Sequence, residues 1–224
     1  MQPNFAVLFP KRLNRVRLAL APLPALLLVA APAARAQFGA PKTTQVHDAS
    51  ALKPPAGHSV AIIEFYDLEC PMCAQTNPQL IAAANQYKIP WIRHDFLIPG
   101  HIWSPQAAVN ARFFDTKSDK LGNDYRDYIF ANQTSIETQV DLRNWTQKFA
   151  QAHGVALPFA IDPMGKFAAA IQADIDLGRR IGVEHTPTIF IVASGGHAPP
   201  FTEVVDRSRL FQTIDQVLAE MRGH

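Results

Sequence analysis

Between His58 and Tyr66 the chain reads HSVAIIEFY, an apolar run rich in β-branched and aromatic residues whose interior is broken only by Glu64. Such a run predicts a buried strand. Pro71 then opens a helix that extends to Tyr87, with Leu80, Ile81 and Ala84 at helical spacing. Pro78 falls inside it and predicts a kink, because a proline removes one backbone hydrogen bond and crowds the preceding turn. Pro90 to Leu97 (PWIRHDFL) reads as a second strand. Strand, helix and strand in that order form a βαβ unit, whose right-handed crossover gives a parallel pair.

From Ser104 to Ile181 almost no strand signal remains, and the pattern predicts four helices over 104–116, 119–132, 138–153 and 163–181. Gly154 reads as the stop of the third, and Asp162-Pro163 as the start of the fourth. Thr188 to Ala193 (TIFIVA) returns as a strand, Ser194-Gly195-Gly196 turns, and Phe201 to Val205 pairs back as a hairpin. Ser208 is the expected cap of a closing helix whose Leu210, Phe211, Ile214, Val217, Leu218 and Met221 form one apolar stripe. The expected class is α/β: a small mixed sheet with helices on both faces, interrupted by a helical block at about 104–181. No internal repeat is evident.

The first 36 residues follow a different pattern. Lys11, Arg12, Arg15 and Arg17 precede an apolar stretch from Leu18 to Val29, and Ala34-Arg35-Ala36 supplies a small-x-small site before Gln37. That order predicts a secretory signal peptide over 1–36, followed by an extended segment over 37–57 and the folded domain over 58–224. The alternative, a retained membrane anchor, is disfavoured by a stretch short of the roughly 20 residues a spanning helix needs. Pro22 and Pro24 within it weigh the same way. Export implies a periplasmic location. It also changes the charge: residues 1–36 carry five basic side chains and no acidic one, so the formal net charge of +2 becomes −3 for the remainder. A nucleic-acid or anionic-membrane partner is therefore not expected.

The chain has two cysteines, Cys70 and Cys73, in Cys-Pro-Met-Cys at the predicted strand-to-helix junction. A structural disulfide gains most by closing a long loop, and this pair would enclose only two residues. A helix N-terminus offers unpaired N–H groups and the positive end of the helix dipole, both of which favour a thiolate. Cys70, just ahead of the helix, is the expected nucleophile. Cys73, almost one turn later, is placed to attack a mixed disulfide and release the partner. Pro71 presets the first helical residue. A structural zinc site normally needs a second pair of ligands, and the sequence has no other cysteine.

Glu64-Phe65-Tyr66 ahead of Cys-Pro-Met-Cys, together with Gly182-Val183-Glu184-His185-Thr186-Pro187-Thr188 ahead of a late strand, resembles the thioredoxin superfamily. The helical block between the halves resembles its DsbA-like branch. The likeness spans roughly residues 58–222. It implies a thioredoxin-like fold with an inserted helical block and a cis Pro187 facing the thiols. Thr186 would then offer its backbone to an extended substrate chain by β-augmentation. It also implies a buried acid at Glu64, with a raised pKa, able to take the proton from Cys73; the alternative is an outward-facing edge residue. Glu69 is expected at the surface, opposing thiolate formation slightly. Met72 stands where DsbA has a histidine, and cannot donate a comparable hydrogen bond to sulfur. His185 is expected near the thiols, either tuning Cys70 or joining both cysteines as a copper ligand. His94, His101 and His153 read as surface or internally satisfied residues, and Phe113, Phe114, Tyr125, Tyr128 and Phe130 as core or the lining of a peptide groove.

The function implied is a protein thiol–disulfide oxidoreductase with no cofactor beyond its redox-active disulfide and no metal. Its expected partners are exported client proteins with cysteines and a membrane redox partner that recycles it. The alternatives are a reductase or isomerase using the same residues, or a copper chaperone built on Cys70, Cys73 and His185. The extended segment over 37–57 is short for the dimerisation domain an isomerase of this superfamily usually carries.

Overall fold

The structure is a computed structural model describing residues 42–223; the predicted signal peptide lies outside the described residues. Strand β1 (Val60–Tyr66) is buried along its whole length, as a strand covered on both faces must be. It is followed by α1 (Pro71–Tyr87) and β2 (Trp91–Asp95). β1 and β2 pair in parallel, with Glu64 opposite Arg93 and Tyr66 opposite Asp95. Between β2 and the next strand the chain is helical: α2 (Ser104–Asp115), α3 (Asp119–Ala131), α4 (Gln139–Ala152) and α5 (Lys166–Ile181). β3 (Thr188–Ala193) then runs antiparallel to β1 and pairs with β4 (Phe201–Glu203), before α6 (Leu210–Arg222) closes the chain. The sheet order is β2-β1-β3-β4.

The predicted bounds differ by at most three residues, and the differences at the starts of the last two helices have local causes. The fourth helix of the block begins at Lys166 because Gly165 takes the cap position with φ 67°, while the Asp162 carboxylate accepts the Ala168 N–H at 2.9 Å from beyond the helix end. The closing helix is not capped by Ser208. Asp206 accepts both the backbone N–H and the hydroxyl of Ser208, holding a 3₁₀ turn (Arg207–Arg209) from which α6 continues. Pro78 is accommodated within α1, which is continuous as a single helix.

Three apolar clusters organise the fold. One face of the sheet (Val60, Ile62, Ile189, Ile191) packs on Leu80 and Ala83 of α1 and on Leu210, Ile214 and Val217 of α6. The other face (Ala61, Ile63, Phe65, Phe190, Val192) packs against Phe96, Ile181 and Val183. Gly178 of α5 permits this second contact, since a Cβ there would stand 2.5 Å from the Phe96 ring. The third cluster is the interior of the helical block, with Phe114, Tyr125, Ile129, Leu142 and Phe149, and it extends to Tyr66, Leu68, Cys70 and Cys73. The thiols therefore sit in the wall of the inserted block, not beside the sheet alone. Among the described residues no helix is long and apolar enough to cross a membrane.

Charged contacts tie the block to the sheet. Arg112 of α2 reaches both Asp95 at the end of β2 and Asp174 of α5. Arg126 of α3 donates to the Tyr66 hydroxyl at 2.8 Å and to both oxygens of Asp115. Burying ions this deeply is tolerated because each carboxylate and guanidinium has a partner.

Candidate active site

Cys70 immediately precedes α1 in extended conformation (φ −75°, ψ 118°), and Pro71 occupies the first helical position. Its carbonyl accepts the N–H groups of Cys73 (3.1 Å) and Ala74 (3.2 Å), closing the first turn. The loop ahead of it is held by three side chains. The Asp67 carboxylate accepts the Glu69 N–H at 2.7 Å, the Ile98 N–H at 2.8 Å and the Ser104 hydroxyl at 2.5 Å. The Gln133 amide, from the turn after α3, donates to the carbonyls of Leu68 (2.8 Å) and Cys70 (3.0 Å). Glu69 departs from its expected role. It is half-buried, and its carboxylate accepts the N–H groups of Ile102 (3.1 Å), Trp103 (2.7 Å) and Ser104 (2.8 Å) at the start of α2. Its charge is thus engaged at a helix N-terminus, where a carboxylate is favoured.

Both thiols are free, and Cys70 faces the loop before β3. Cys70 is 7% exposed and Cys73 fully buried. The Thr186–Pro187 peptide is cis, and the Cys70 sulfur lies 3.4 Å from the Thr186 carbonyl oxygen. That contact suits the protonated thiol, which donates. For the thiolate one available donor is the Thr186 hydroxyl, which is buried and has no hydrogen-bond partner of its own. The environments of the two sulfurs differ in sign. A hydrogen bond from the Cys73 thiol pulls Cys70 down to about 6 against the opposing effect of burial, with help from the Thr186 side chain and from the backbone at Cys73 and Met72. Burial pushes Cys73 well above the ordinary thiol value, reinforced by Cys70 and by the charge of Glu64. One sulfur is prepared as a thiolate and the other, more deeply buried, as a thiol.

Glu64 is fully buried on β1 and does not face outward. One carboxylate oxygen accepts the Trp91 indole N–H at 3.1 Å, and the other has no partner. Burial pushes it up to about 7, restrained by the positive charge of Arg93 and by the Trp91 hydrogen bond. Met72 is exposed at the second position of α1.

The remaining candidates are not drawn into the site. His185 is exposed, and the backbone carbonyl of this residue accepts the Thr188 hydroxyl at 2.8 Å. Among the described residues no three His, Cys, Asp or Glu side chains gather as a metal site, so Cys70, Cys73 and His185 do not form the copper set considered from sequence. His94 contacts Asp174 at 2.8 Å, His101 lies 2.9 Å from Asp67, and His153 packs on Phe149. A cavity of about 750 Å³ opens in the helical block between α2, α4 and the loop before α5. Asn110, Leu142, Thr146 and Phe159 line it, but none of the five aromatic residues singled out from sequence does, and these are core or partly buried against it.

Sequence reasoning missed Asp67, Gln133, Trp91 and Arg93. The signal available for Arg93 was a basic residue inside a strand-like run, at the register position that faces Glu64. Gln133 had no signal, since its partners lie more than 60 residues away.

Comparisons with known proteins agree with the fold. A family profile described as Thioredoxin matches residues 56–199. No curated protein matches the chain. Among solved structures, alpha-DsbA1 of Wolbachia pipientis superposes with a TM-score of 0.60 at 15% identity, covering 76% of this chain and 92% of that one. The thiol-disulfide exchange protein alpha-DsbA2 of the same organism gives 0.54 at 21% identity, over 73% and 84%. DsbA2 of Pseudomonas aeruginosa gives 0.52 at 17%, over 75% and 91%. At these identities the likeness is one of fold: a thioredoxin-like sheet carrying a helical block. With the family profile spanning more than half its length, the chain belongs to the thioredoxin family.

Proposed function

We propose that this protein is a periplasmic thiol–disulfide oxidoreductase that donates the Cys70–Cys73 disulfide to exported client proteins. A client thiolate attacks the Cys70 sulfur, forming a mixed disulfide and releasing Cys73 as a thiolate, which takes a proton from Glu64. A second client thiolate then attacks the client's own sulfur in that mixed disulfide. The client gains a disulfide, Cys70 leaves as a thiolate, and two electrons have passed to the protein. Thr186 and Pro187 present a backbone edge to the extended client, with Pro71 and Met72 in the first turn of the helix that follows the sulfur. No cofactor is needed beyond the disulfide itself, and a membrane redox partner restores it. Nucleic acid has no part in this cycle.

The observation that carries the reading is the asymmetry of the two thiols. A Cys70 thiolate stabilised to about 6 is a good leaving group, and it favours the reduced protein over the oxidised one. That is the property of a disulfide donor. The solved structure described as a thiol-disulfide exchange protein, of the same fold, supports the same chemistry. The test is to incubate Cys73→Ser and Cys70→Ser variants with a disulfide-containing peptide. The reading expects a trapped, non-resolving mixed disulfide on Cys70 in the first variant. Equal trapping in the second, or none in either, contradicts it.

A further inference from the structure

We propose that the Arg93–Asp127 ion pair is a positioning device for Glu64, setting when its carboxylate is free to take the proton from Cys73. The inference rests on the exchange reading above and adds two residues to it, one from β2 and one from the helical block. In the parallel β1–β2 register Glu64 and Arg93 are direct partners, so their side chains leave the same face of the sheet. Arg93 is 4% exposed. Its guanidinium lies 3.5 Å over the Trp91 ring, and the same indole donates to Glu64. One guanidinium nitrogen donates to Asp127 of α3 at 2.7 Å and to Asn77 of α1 at 3.2 Å. Its other two nitrogens, and the free oxygen of Glu64, are buried without hydrogen-bond partners.

The arrangement holds a cation beside a buried acid without pairing the two directly. A direct ion pair would hold Glu64 as a carboxylate and weaken it as a base. Here the cation is turned toward Asp127, a 30% exposed residue whose negative charge offsets it. The groups facing Glu64 are few. β2 supplies Arg93 and Trp91, α3 supplies Asp127, α1 supplies Cys73 and the neutral Asn77, and Cys70 stands just ahead of α1; the β3 partner is Ile189, which is apolar. Arg93 and Asp127 therefore act on Glu64 with opposite signs. Removing either should move its titration in opposite directions. A purely structural ion pair would not produce that result.

The resolving step balances without another reagent. With an aromatic disulfide such as dithiobis(nitrobenzoate), Cys70 attacks and releases one coloured thiolate. Cys73 then gives its proton to Glu64, forms the Cys70–Cys73 bond and displaces the second coloured thiolate. Stopped-flow absorbance across pH separates the two phases in the reduced full chain. The second phase should rise with a midpoint near 7 in the unaltered protein. Arg93→Gln should move it up by about one pH unit or more, slowing that phase roughly tenfold at neutral pH. Asp127→Asn should move it down, and Arg93→Lys should leave it in place. The first phase should keep its midpoint throughout. A second-phase midpoint that stays fixed, or moves the same way in Arg93→Gln and Asp127→Asn, overturns the proposal. If Arg93→Gln does not fold, the downward shift in Asp127→Asn against an unmoved Arg93→Lys decides it, and any other pattern in that pair overturns it. Loss of the first phase itself overturns the exchange reading, and the proposal with it.

Discussion

At the residue scale, the site turns on how one structure gives two thiols, three positions apart, opposite tendencies. Burial alone raises both, because it penalises the charged form. Cys70 escapes because it stands at the edge, with Cys73, the first turn of α1 and Thr186 supplying donors to its sulfur. Alkylation of the reduced protein by iodoacetamide should therefore titrate at Cys70 with a midpoint of about 6. Thr186→Val removes the one unpartnered hydroxyl facing that sulfur and should move the midpoint upward. A midpoint at the ordinary thiol value in the unaltered protein, or no movement in the variant, contradicts this account of the thiolate. The motif residues were legible because Cys-x-x-Cys and a proline before a late strand are local patterns. Gln133, Trp91, Arg93 and Asp127 were not, since each acts on a residue far along the chain and nothing local marks the partner.

At the scale of elements, hydrophobic periodicity located every strand and α-helix of the described residues, but not the short 3₁₀ turns, which bury no continuous face. It misplaced the ends where a cap acts from outside the element. Gly165 with Asp162, and Asp206 with Ser208, are such cases. Glu69 is another, an apparent surface acid that holds the start of a helix more than 30 residues away. Periodicity is equally silent on how closely two elements approach. Gly178 lies mid-helix, where alanine would be favoured by about 1 kcal/mol on helix propensity. Its missing Cβ, however, leaves room for the Phe96 ring at 2.5 Å and the Phe65 ring at 3.2 Å, both in the second core. Overpacking a filled core costs about 1–3 kcal/mol, so Gly178→Ala should destabilise on balance. A lowered urea midpoint with an unchanged slope is the expected outcome. A raised midpoint would mean that α5 and β2 are not closely packed there.

For the whole molecule, the inserted block is part of the active site's construction. It walls in the thiols, holds the loop before Cys70 through Gln133, and reaches the buried acid through Asp127 and Arg93. The order of elements made such a block readable from sequence, but not the face it would turn to the site. Two titrations then act on stability in opposite directions. The lowered Cys70 pKa stabilises the reduced fold fully above 9.0, and that contribution is lost as pH falls through about 6. The raised Glu64 pKa contributes stability below 4.5, which is lost as pH rises through about 7. Only the first depends on having a free thiol, so it favours the reduced over the oxidised protein at neutral pH. The reduction potential of the Cys70–Cys73 pair in glutathione buffers, followed across pH, tests this most directly. The account predicts a potential well above the roughly −200 mV of a glutathione-poised oxidising compartment. It also predicts a slope that falls from about 59 to about 30 mV per pH unit as Cys70 stops taking up a proton, with the break near 6. A potential near the thioredoxin value of about −270 mV, with no break below pH 8 or so, would contradict it and make the protein a reductase.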